Sequence, residues 1–456
     1  MNFDESVKYL YGLGNEVLAM KLGLENIRLL LAALGSQQNR YLKVQIAGTN
    51  GKGSTCAFLE AICLRAGIKT GTTTSPHLVS VTERVRIGGR EISETDFARH
   101  ATIVRETSEK LVEAGALETV PTFFEQVTAI ALNAFAECEI ELAILETGLG
   151  GRFDATTAAN AEIVGITPVD YDHQRILGNT LAEIAAEKAA IIREDTKAVI
   201  ANQPPEAMRI ILERCARFGV TPNFAAKVDA AYASELFTNS EQSFSSEQSF
   251  SDFGIQITNF HTSKAKYENV RLNLHGKHQV ENAKTAILLA ETLQDYFKIT
   301  GENIIDGLES AVHKGRLEFN ENYLFDGAHN ASGARALHDF LNEFVKLPVV
   351  MIFGAMRDKD LSEIAEILFP KAAALILTTV ANERSQTAEE LEKFVPADFD
   401  KNKIFIARNV REALDTAEKI ASGQNLILVT GSLYLVGEAQ KILSEGVKKA
   451  DFRENL

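Results

Sequence analysis

The sequence predicts an α/β chain in two lobes, a larger N-terminal one with a mostly parallel sheet and a smaller C-terminal one of Rossmann-like alternation. Three observations carry that expectation. Residues 44–54 read as a short apolar strand, a glycine-rich loop and the start of a helix. Beyond about residue 298, apolar strand candidates alternate with helical patterns, the order that gives parallel strands with right-handed crossovers. The chain has 456 residues, too many for one ordinary core, so two or three domains are expected.

The first of these stretches organises the rest. Val44, Ile46 and Ala47 form the apolar run, Gly48, Gly51 and Gly53 lie in the loop, and Ala57, Phe58, Ala61, Ile62 and Leu64 restart at helical spacing. Gly48-Thr49-Asn50-Gly51-Lys52-Gly53-Ser54 then has the parts of a phosphate cradle: backbone N–H groups, a helix N-terminus, a lysine for the outer phosphates and a hydroxyl for Mg2+. Its spacing is tighter than the common Walker A form, and Gly53 intervenes between Lys52 and Ser54. A glycine-rich strand-to-helix turn with an incidental lysine is the plain alternative. The N-terminal domain, residues 1–297, is therefore read as a P-loop ATPase domain, with the C-terminal domain at 298–456.

Bulk composition narrows the class. Apolar residues make up 45% and charged residues 24%, as in a soluble globular protein. A formal charge of −15 argues against a general polyanion binder and so against nucleic acid, although a local pocket can still hold ATP. Cys56, Cys63, Cys138 and Cys215 show no metal spacing, which points to a reducing compartment. The first residues lack the basic-then-apolar pattern of a signal peptide, and no uncharged apolar run reaches membrane-spanning length. The expectation is a cytoplasmic protein without a membrane partner.

Before the loop, residues 4–34 carry two helical patterns; after it, residues 69–74 read as a strand running into Thr74-Ser75-Pro76-His77-Leu78. Ser93 starts a long amphipathic helix reaching about Ala114. Thr122 and Glu125 make a capping box at the next helix, and capping with aromatic packing by Phe124 stands beside ligand contact as an explanation. Residues 141–146 form an apolar strand ending in Glu146, a carboxylate at a strand's C-terminal end where a metal could be held beside a phosphate loop. Residues 162–166 form another strand, leading to Asp172-His173 and a capped helix that carries Lys188 among small alanines. A surface ion pair with Glu187 is the default for that lysine; partial burial, which favours the neutral amine, is the alternative. Residues 240–251 repeat Ser-Glu-Gln-Ser-Phe-Ser in tandem, a surface loop or hairpin tip without chemistry. Sheet is expected again at 270–274, followed by a helix opened by His278-Gln279. In the second lobe, strands near 323–325, 349–353, 374–378, 404–406 and 426–429 end in polar residues, a functional edge.

The ordered set of motifs resembles the folylpolyglutamate synthase and dihydrofolate synthase family, within the Mur ligases. It comprises Lys21-Leu22-Gly23-Leu24-Glu25, the phosphate loop, Ser75-Pro76-His77-Leu78, Thr122-Phe123-Phe124-Glu125 and Gly148-Leu149-Gly150-Gly151-Arg152 with Asp154-Ala155-Thr156. It continues through Asp172-His173, Glu187-Lys188-Ala189, His278-Gln279 with Asn282-Ala283, Gly315-Arg316, Asp326-Gly327-Ala328-His329-Asn330 and the run 353–360. The resemblance implies an ATP-dependent amide ligase that adds L-glutamate to dihydropteroate or to a reduced folate through an acyl phosphate. It implies that Gly48, Thr49, Asn50, Gly51, Lys52, Gly53 and Ser54 hold the triphosphate, with Asn282, Arg316 and Asp326 as further nucleotide contacts. Ser75, Glu146 and His173 match the family's Mg2+ ligands, and Lys188 its frequently carbamylated lysine, which can serve a second Mg2+. His329 matches a histidine near the reacting phosphoryl group, and Thr122, Phe124, Asp154 and Ala155 match positions that hold dihydropteroate. Monomers are usual in that family.

Some positions depart from it. His313-Lys314 stands where Trp-Pro is common, Thr157 replaces a frequent Asn, Ala190 a frequent Gly, and Ala331 a frequent Pro. A cell-wall Mur ligase is disfavoured because only about 43 residues precede the first strand, leaving no uridine-binding domain. A nucleotide switch that makes no bond would not need Lys188, Asp326 and His329.

Overall fold

The computed structural model describes residues 1–14, 23–225, 245–252, 254–422 and 425–453. Its first lobe is built on an eight-stranded sheet. Strand β1 (Leu42–Ala47) lies at the centre, between β5 (Leu142–Glu146) and β6 (Ile163–Ile166), both parallel to it. Outward run β2 (Thr70–Thr73) on one side and β7 (Lys197–Ile200) with β8 (Asn223–Phe224) on the other, all parallel. Only the short β3 (Arg86–Ile87) and β4 (Arg90–Glu91) turn antiparallel at the edge.

The central strands are almost wholly buried because both their faces are covered, and they are apolar apart from Lys43 and Gln45 of β1 and Glu146 at the end of β5. Val44, Ile46 and Ile144 face a cluster with Phe58, Leu59 and Ile62 of the helix after the phosphate loop, α3 (Lys52–Arg65). Ala143 and Leu145 point the other way, into a cluster with Ile27, Phe97, Ile130 and Phe135. The second cluster gathers the helices Phe3–Gly12, Glu25–Ala33, Glu94–Glu113 and Phe123–Glu137, each close to its expected position.

A three-stranded antiparallel sheet, β9 (Ser245–Asp252), β10 (Ile255–His261) and β11 (Lys266–Arg271), completes this lobe. Its last strand lies a few residues before the expected 270–274. The first copy of the tandem repeat lies outside the described residues apart from Ser245; the second runs in β9 and pairs with β10 as a hairpin. Tyr267 and Thr262 both donate to Glu291 Oε1, at 2.8 and 2.6 Å, which pins the small sheet to the helix His278–Leu293.

The second lobe holds a six-stranded sheet in the order β12 (Glu318–Asn320), β13 (Tyr323–Asp326), β17 (Leu426–Thr430), β14 (Val349–Phe353), β15 (Ala372–Thr378) and β16 (Ile404–Ala407). All neighbours are parallel except β12 against β13. Helices cover both faces, as crossover connections demand.

The expected boundary near 298 differs from the packing. The helix Gly301–Ser310 buries Ile304 and Leu308 in the cluster of Phe58 and Ile62. A Cβ on Gly307 would overlap the Ile62 backbone, so the two helices touch main chain to main chain. On packing grounds the division between lobes falls after Ala311. None of the described helices is long and apolar enough to cross a membrane.

Candidate active site

Strand β1 delivers the phosphate loop at the sheet's carboxyl edge. The loop needs glycine at two places for its backbone: Gly48 has φ 146° and Gly51, the residue preceding α3, has φ 86°. A Cβ on Gly51 would collide with the Asn282 side chain, so Asn282 is pressed against the loop. Thr49 and Asn50 donate their N–H groups to Pro168 O at 2.9 and 3.3 Å, which ties the loop to the end of β6. Ser54 is buried and accepts from Gln279 Nε2 at 3.3 Å.

Two lysines meet behind the loop. Lys52 Nζ donates to the carbonyls of Gly48 and Thr49 at 3.1 and 3.0 Å, and burial pulls its pKa down against the opposing carboxylates of Glu146 and Asp172. Lys188 is buried and donates to Gly48 O at 2.9 Å. Burial, with the neighbouring Lys52 charge, pushes its pKa down to about 7. The surface ion pair is therefore not its role: Glu187 pairs instead with Arg152 Nε at 2.8 Å.

Glu146 ends β5 one strand from the loop and is almost fully buried. Its Oε2 accepts the Ser75 N–H at 3.0 Å. Desolvation raises its pKa, with the Lys52 charge opposing. Its Oε1 has no hydrogen-bond donor among the described residues and faces the hollow above Gly53. His173 follows β6 with φ 50°, and burial pushes its pKa down to about 4, so the ring is neutral and can offer a nitrogen. Among the described residues no three His, Cys, Asp or Glu side chains converge on one point. An ion of the Mg2+ type does not require that: it takes few protein oxygens, keeps waters and is completed by phosphates. An orphaned carboxylate oxygen beside a serine and a neutral imidazole fits such an ion.

The second lobe closes the same space. Arg316 and Asp326 line one cleft of about 1420 Å³ with Lys52, Glu146, Lys188, Asn282 and His329. Asp326 is buried and accepts the N–H groups of Leu317 and Ala328, each at 3.0 Å, so much of its bonding capacity shapes its own loop. His329 shares a 2.7 Å contact between Nδ1 and Gly327 O, which makes Nδ1 the donor and leaves Nε2, 3.8 Å from Asp172 Oδ2, as the acceptor. Burial pushes its pKa down to about 3.

A second cleft of about 1090 Å³ contains all four residues matched to dihydropteroate positions, Thr122, Phe124, Asp154 and Ala155. Two of them are heavily committed to structure. Thr122 accepts from Glu125 N and donates its hydroxyl to Glu125 Oε2 at 2.8 Å, a complete capping box. Asp154 accepts from Leu149 N, Thr156 N and the Thr156 hydroxyl. Phe124 lies against Gly148, where a Cβ would meet its ring at 2.7 Å. The two clefts share Ser75, His173 and His329 in their walls, so they open into each other there.

Sequence reasoning assigned no role to Asp172 and Lys359, which join the lobes. Lys359 Nζ lies 2.6 Å from Asp172 Oδ1. Asn330 Nδ2 donates to Asn50 Oδ1 of the phosphate loop at 3.1 Å and reaches Asp172 Oδ2 at 3.5 Å. Both Asp172 and Lys359 lie inside quoted motifs; their presence there was the available signal, their pairing was not. Arg384 also lines the second cleft, with Nη2 on the Tyr434 hydroxyl at 3.1 Å and a buried Nε that has no hydrogen-bond partner among the described residues.

The sequence matches two family models, the Mur ligase middle domain over residues 46–290 and the Mur ligase glutamate ligase domain over 315–433. A dihydrofolate synthase/folylpolyglutamate synthase of Bacillus subtilis is 32% identical over 437 residues, spanning 94% of this chain and 97% of that protein. The structure of Mycobacterium tuberculosis folylpolyglutamate synthase complexed with ADP and AMPPCP superposes with a TM-score of 0.85 at 29% identity, covering 97% of this chain and 99% of that one. A bifunctional folylpolyglutamate synthase/dihydrofolate synthase with Mn, AMPPNP and L-glutamate bound superposes with a TM-score of 0.79 at 27% identity, covering 97% and 98%.

Proposed function

This chain belongs to the dihydrofolate synthase/folylpolyglutamate synthase family within the Mur ligases, and from that premise we propose how its own residues perform the reaction. It is an ATP-dependent ligase that uses a divalent metal and joins L-glutamate to a pteroate or folate carboxylate. The observation that carries the residue assignment is the opening of the nucleotide cleft into the second cleft at Ser75, His173 and His329.

In this reading the loop N–H groups from Gly48 to Ser54 and the N-terminus of α3 hold the triphosphate, with Lys52 swinging from the Gly48 and Thr49 carbonyls onto the outer phosphates. Asn282 and Asp326 border the nucleotide, and Arg316 brings positive charge to the γ-phosphate from the second lobe. Ser75, Glu146 and His173 would hold the metal, which neutralises phosphate charge when bound. The substrate carboxylate attacks the γ-phosphoryl group, ADP leaves, and the glutamate amine displaces phosphate from the acyl phosphate. Thr122, Phe124, Asp154 and Ala155 orient dihydropteroate, Phe124 by ring contact and Asp154 mainly by fixing the loop that forms the wall. His329 Nε2 accepts a hydrogen bond from the amine as it attacks. Most of the acceleration is then positioning and charge neutralisation.

Lys188 takes the carbamate role in this proposal. Its amine is neutral over much of the range near pH 7, can bond CO2 with release of one proton, and the resulting anion can serve a second metal. The four free cysteines support a reducing, cytoplasmic setting, and the proposal takes the chain as a monomer that acts on small molecules, not on nucleic acid or membranes.

The test measures ADP release by the purified chain with ATP and L-glutamate plus either dihydropteroate or tetrahydrofolate. Release that depends on both glutamate and at least one acceptor is expected. Release indifferent to glutamate would overturn the ligase reading.

A further inference from the structure

The roles assigned above leave Gln279, the second residue of the helix His278–Leu293, without a task. Its side chain is fully buried and is not among those that line the nucleotide cleft. Every hydrogen bond of its amide nevertheless goes to a residue that does line it. Nε2 donates to Ser54 Oγ at 3.3 Å and to His278 Nε2 at 3.2 Å, and Oε1 accepts from Asn282 Nδ2 at 2.9 Å. Both amide hydrogens are thereby used. A leucine or methionine of similar size would fill the same space without the cost of burying an amide, so packing alone does not account for the residue.

Ser54 lies in the first turn of α3 and borders the cleft together with Lys52 and Arg316. A hydroxyl offers one proton and two acceptor lone pairs. The Gln279 N–H occupies one of those lone pairs, so the Ser54 proton points away from Gln279, and it has no acceptor among the described residues. We propose that Gln279 is a positioning residue that turns the Ser54 hydroxyl toward the bound triphosphate, making Ser54 a hydrogen-bond donor to a phosphate oxygen. The inference rests on the reading of residues 48–54 as the triphosphate cradle.

The same amide also braces the other side of the loop. Asn282, held through its Nδ2, places Oδ1 where a Cβ on Gly51 would overlap it. One buried side chain thus spans from Ser54 to the residue pressed against Gly51. Without the Gln279 N–H the Ser54 hydroxyl would turn among several directions, and its bond to the anion would no longer be set in advance. Hydrogen bonds to an ionised acceptor are the strong ones, so this loss is measurable as nucleotide affinity.

The experiment titrates the full chain with ADP by calorimetry, in EDTA so that no metal takes part, and with adenosine, which has no phosphate, by proton NMR. Gln279→Met, which fills the space but cannot donate, and Ser54→Ala are each expected to bind ADP about 10-fold more weakly. The double variant should bind no more weakly than the poorer single one, because Gln279 acts through Ser54. Adenosine affinity should be unchanged in all three, which a general collapse of the cleft would not allow. Multiplied losses in the double variant, a parallel loss of adenosine binding, or wild-type ADP affinity in Gln279→Met overturns the assignment. So does a loss that appears only once Mg2+ is added, since the hydroxyl would then serve the ion. If Gln279→Met does not fold, Gln279→Glu takes its place in the cycle: its charge acts on the phosphates with or without Ser54→Ala, so the coupling still reports only the contact. Lys52→Ala separates the two readings. If it weakens ADP binding while Gln279→Met does not, only the Gln279 role falls; if it too binds ADP like wild type, the phosphate cradle itself is wrong.

Discussion

Lys359 Nζ lies 2.6 Å from Asp172 Oδ1, and this pair ties the second lobe to the edge of the phosphate-loop sheet. The two side chains are about one-tenth exposed, so water screens the pair weakly. Burial alone would raise the Asp172 carboxyl, but Lys359, His173 and His329 override it and hold the group far below the usual carboxylate range. The folded pKa is depressed, so its stabilisation is fully present above the ordinary aspartate value of about 4. It is lost as pH falls from there toward the folded pKa.

The pair should therefore behave as one unit. Asp172→Asn and Lys359→Met are each expected to cut kcat/KM by about 100-fold, and the double variant to be little worse than the poorer single one. That corresponds to a coupling of roughly 1–3 kcal/mol. Small-angle scattering at pH 7 should show a more open particle for both single variants. Additive losses with an unchanged particle size would count against a link between the lobes.

Lys188 predicts a dependence on pH and CO2. Its folded pKa is lowered to about 7, so the buried cation is disfavoured and the folded state binds fewer protons than the unfolded chain between about pH 7 and 10.4. Stability contributed by this group accordingly rises with pH across that window and is least below it. The neutral amine rises over the same limb, so a 13C carbamate resonance should grow from pH 6 to 8 in labelled bicarbonate. Lys188→Ala should lose the resonance and most activity, with partial rescue by small carboxylates such as acetate. Full activity in Lys188→Ala would remove the carbamate role.

Thr122 separates capping from recognition. Its hydroxyl is already shared between Glu125 N and Glu125 Oε2, so Thr122→Ala should cost about 1 kcal/mol of stability. Thr122→Ser keeps the cap. If the residue also touches substrate, Thr122→Ala raises KM for dihydropteroate more than for tetrahydrofolate while Thr122→Ser restores both. Equal changes for the two acceptors would leave only the cap.

Much of this architecture is legible in the sequence because local rules agree with the tertiary ones. The alternation of buried strands and capped helices, the glycines of the phosphate loop and the boxes at Thr122 and Thr180 all act within a few residues. What escaped is non-local. The face of Gly301–Ser310 that carries Ile304 and Leu308 reads as buried, but nothing in its periodicity says that it packs on α3 of the first lobe. Strands β3 and β4 have two residues each, too few to show a period. Asp172 and Lys359 stand 187 residues apart, and only the closed arrangement of the lobes makes them partners.

The last prediction isolates the loop backbone from ordinary glycine strain. Gly51 and Gly67 both sit in the left-handed region, at φ 86° and 76°. An alanine at either pays about 1–2 kcal/mol for that conformation. At Gly67 a Cβ would meet nothing within 4 Å, so Gly67→Ala should lower Tm and leave ADP affinity intact. At Gly51 it would strike Asn282, proposed above to border the nucleotide, and displace both that side chain and the first turn of α3. Gly51→Ala is therefore expected to show a similar fall in Tm together with at least 10-fold weaker ADP binding by calorimetry. Equal ADP affinities in the two variants would mean that the loop's close approach to Asn282 has no part in holding the nucleotide.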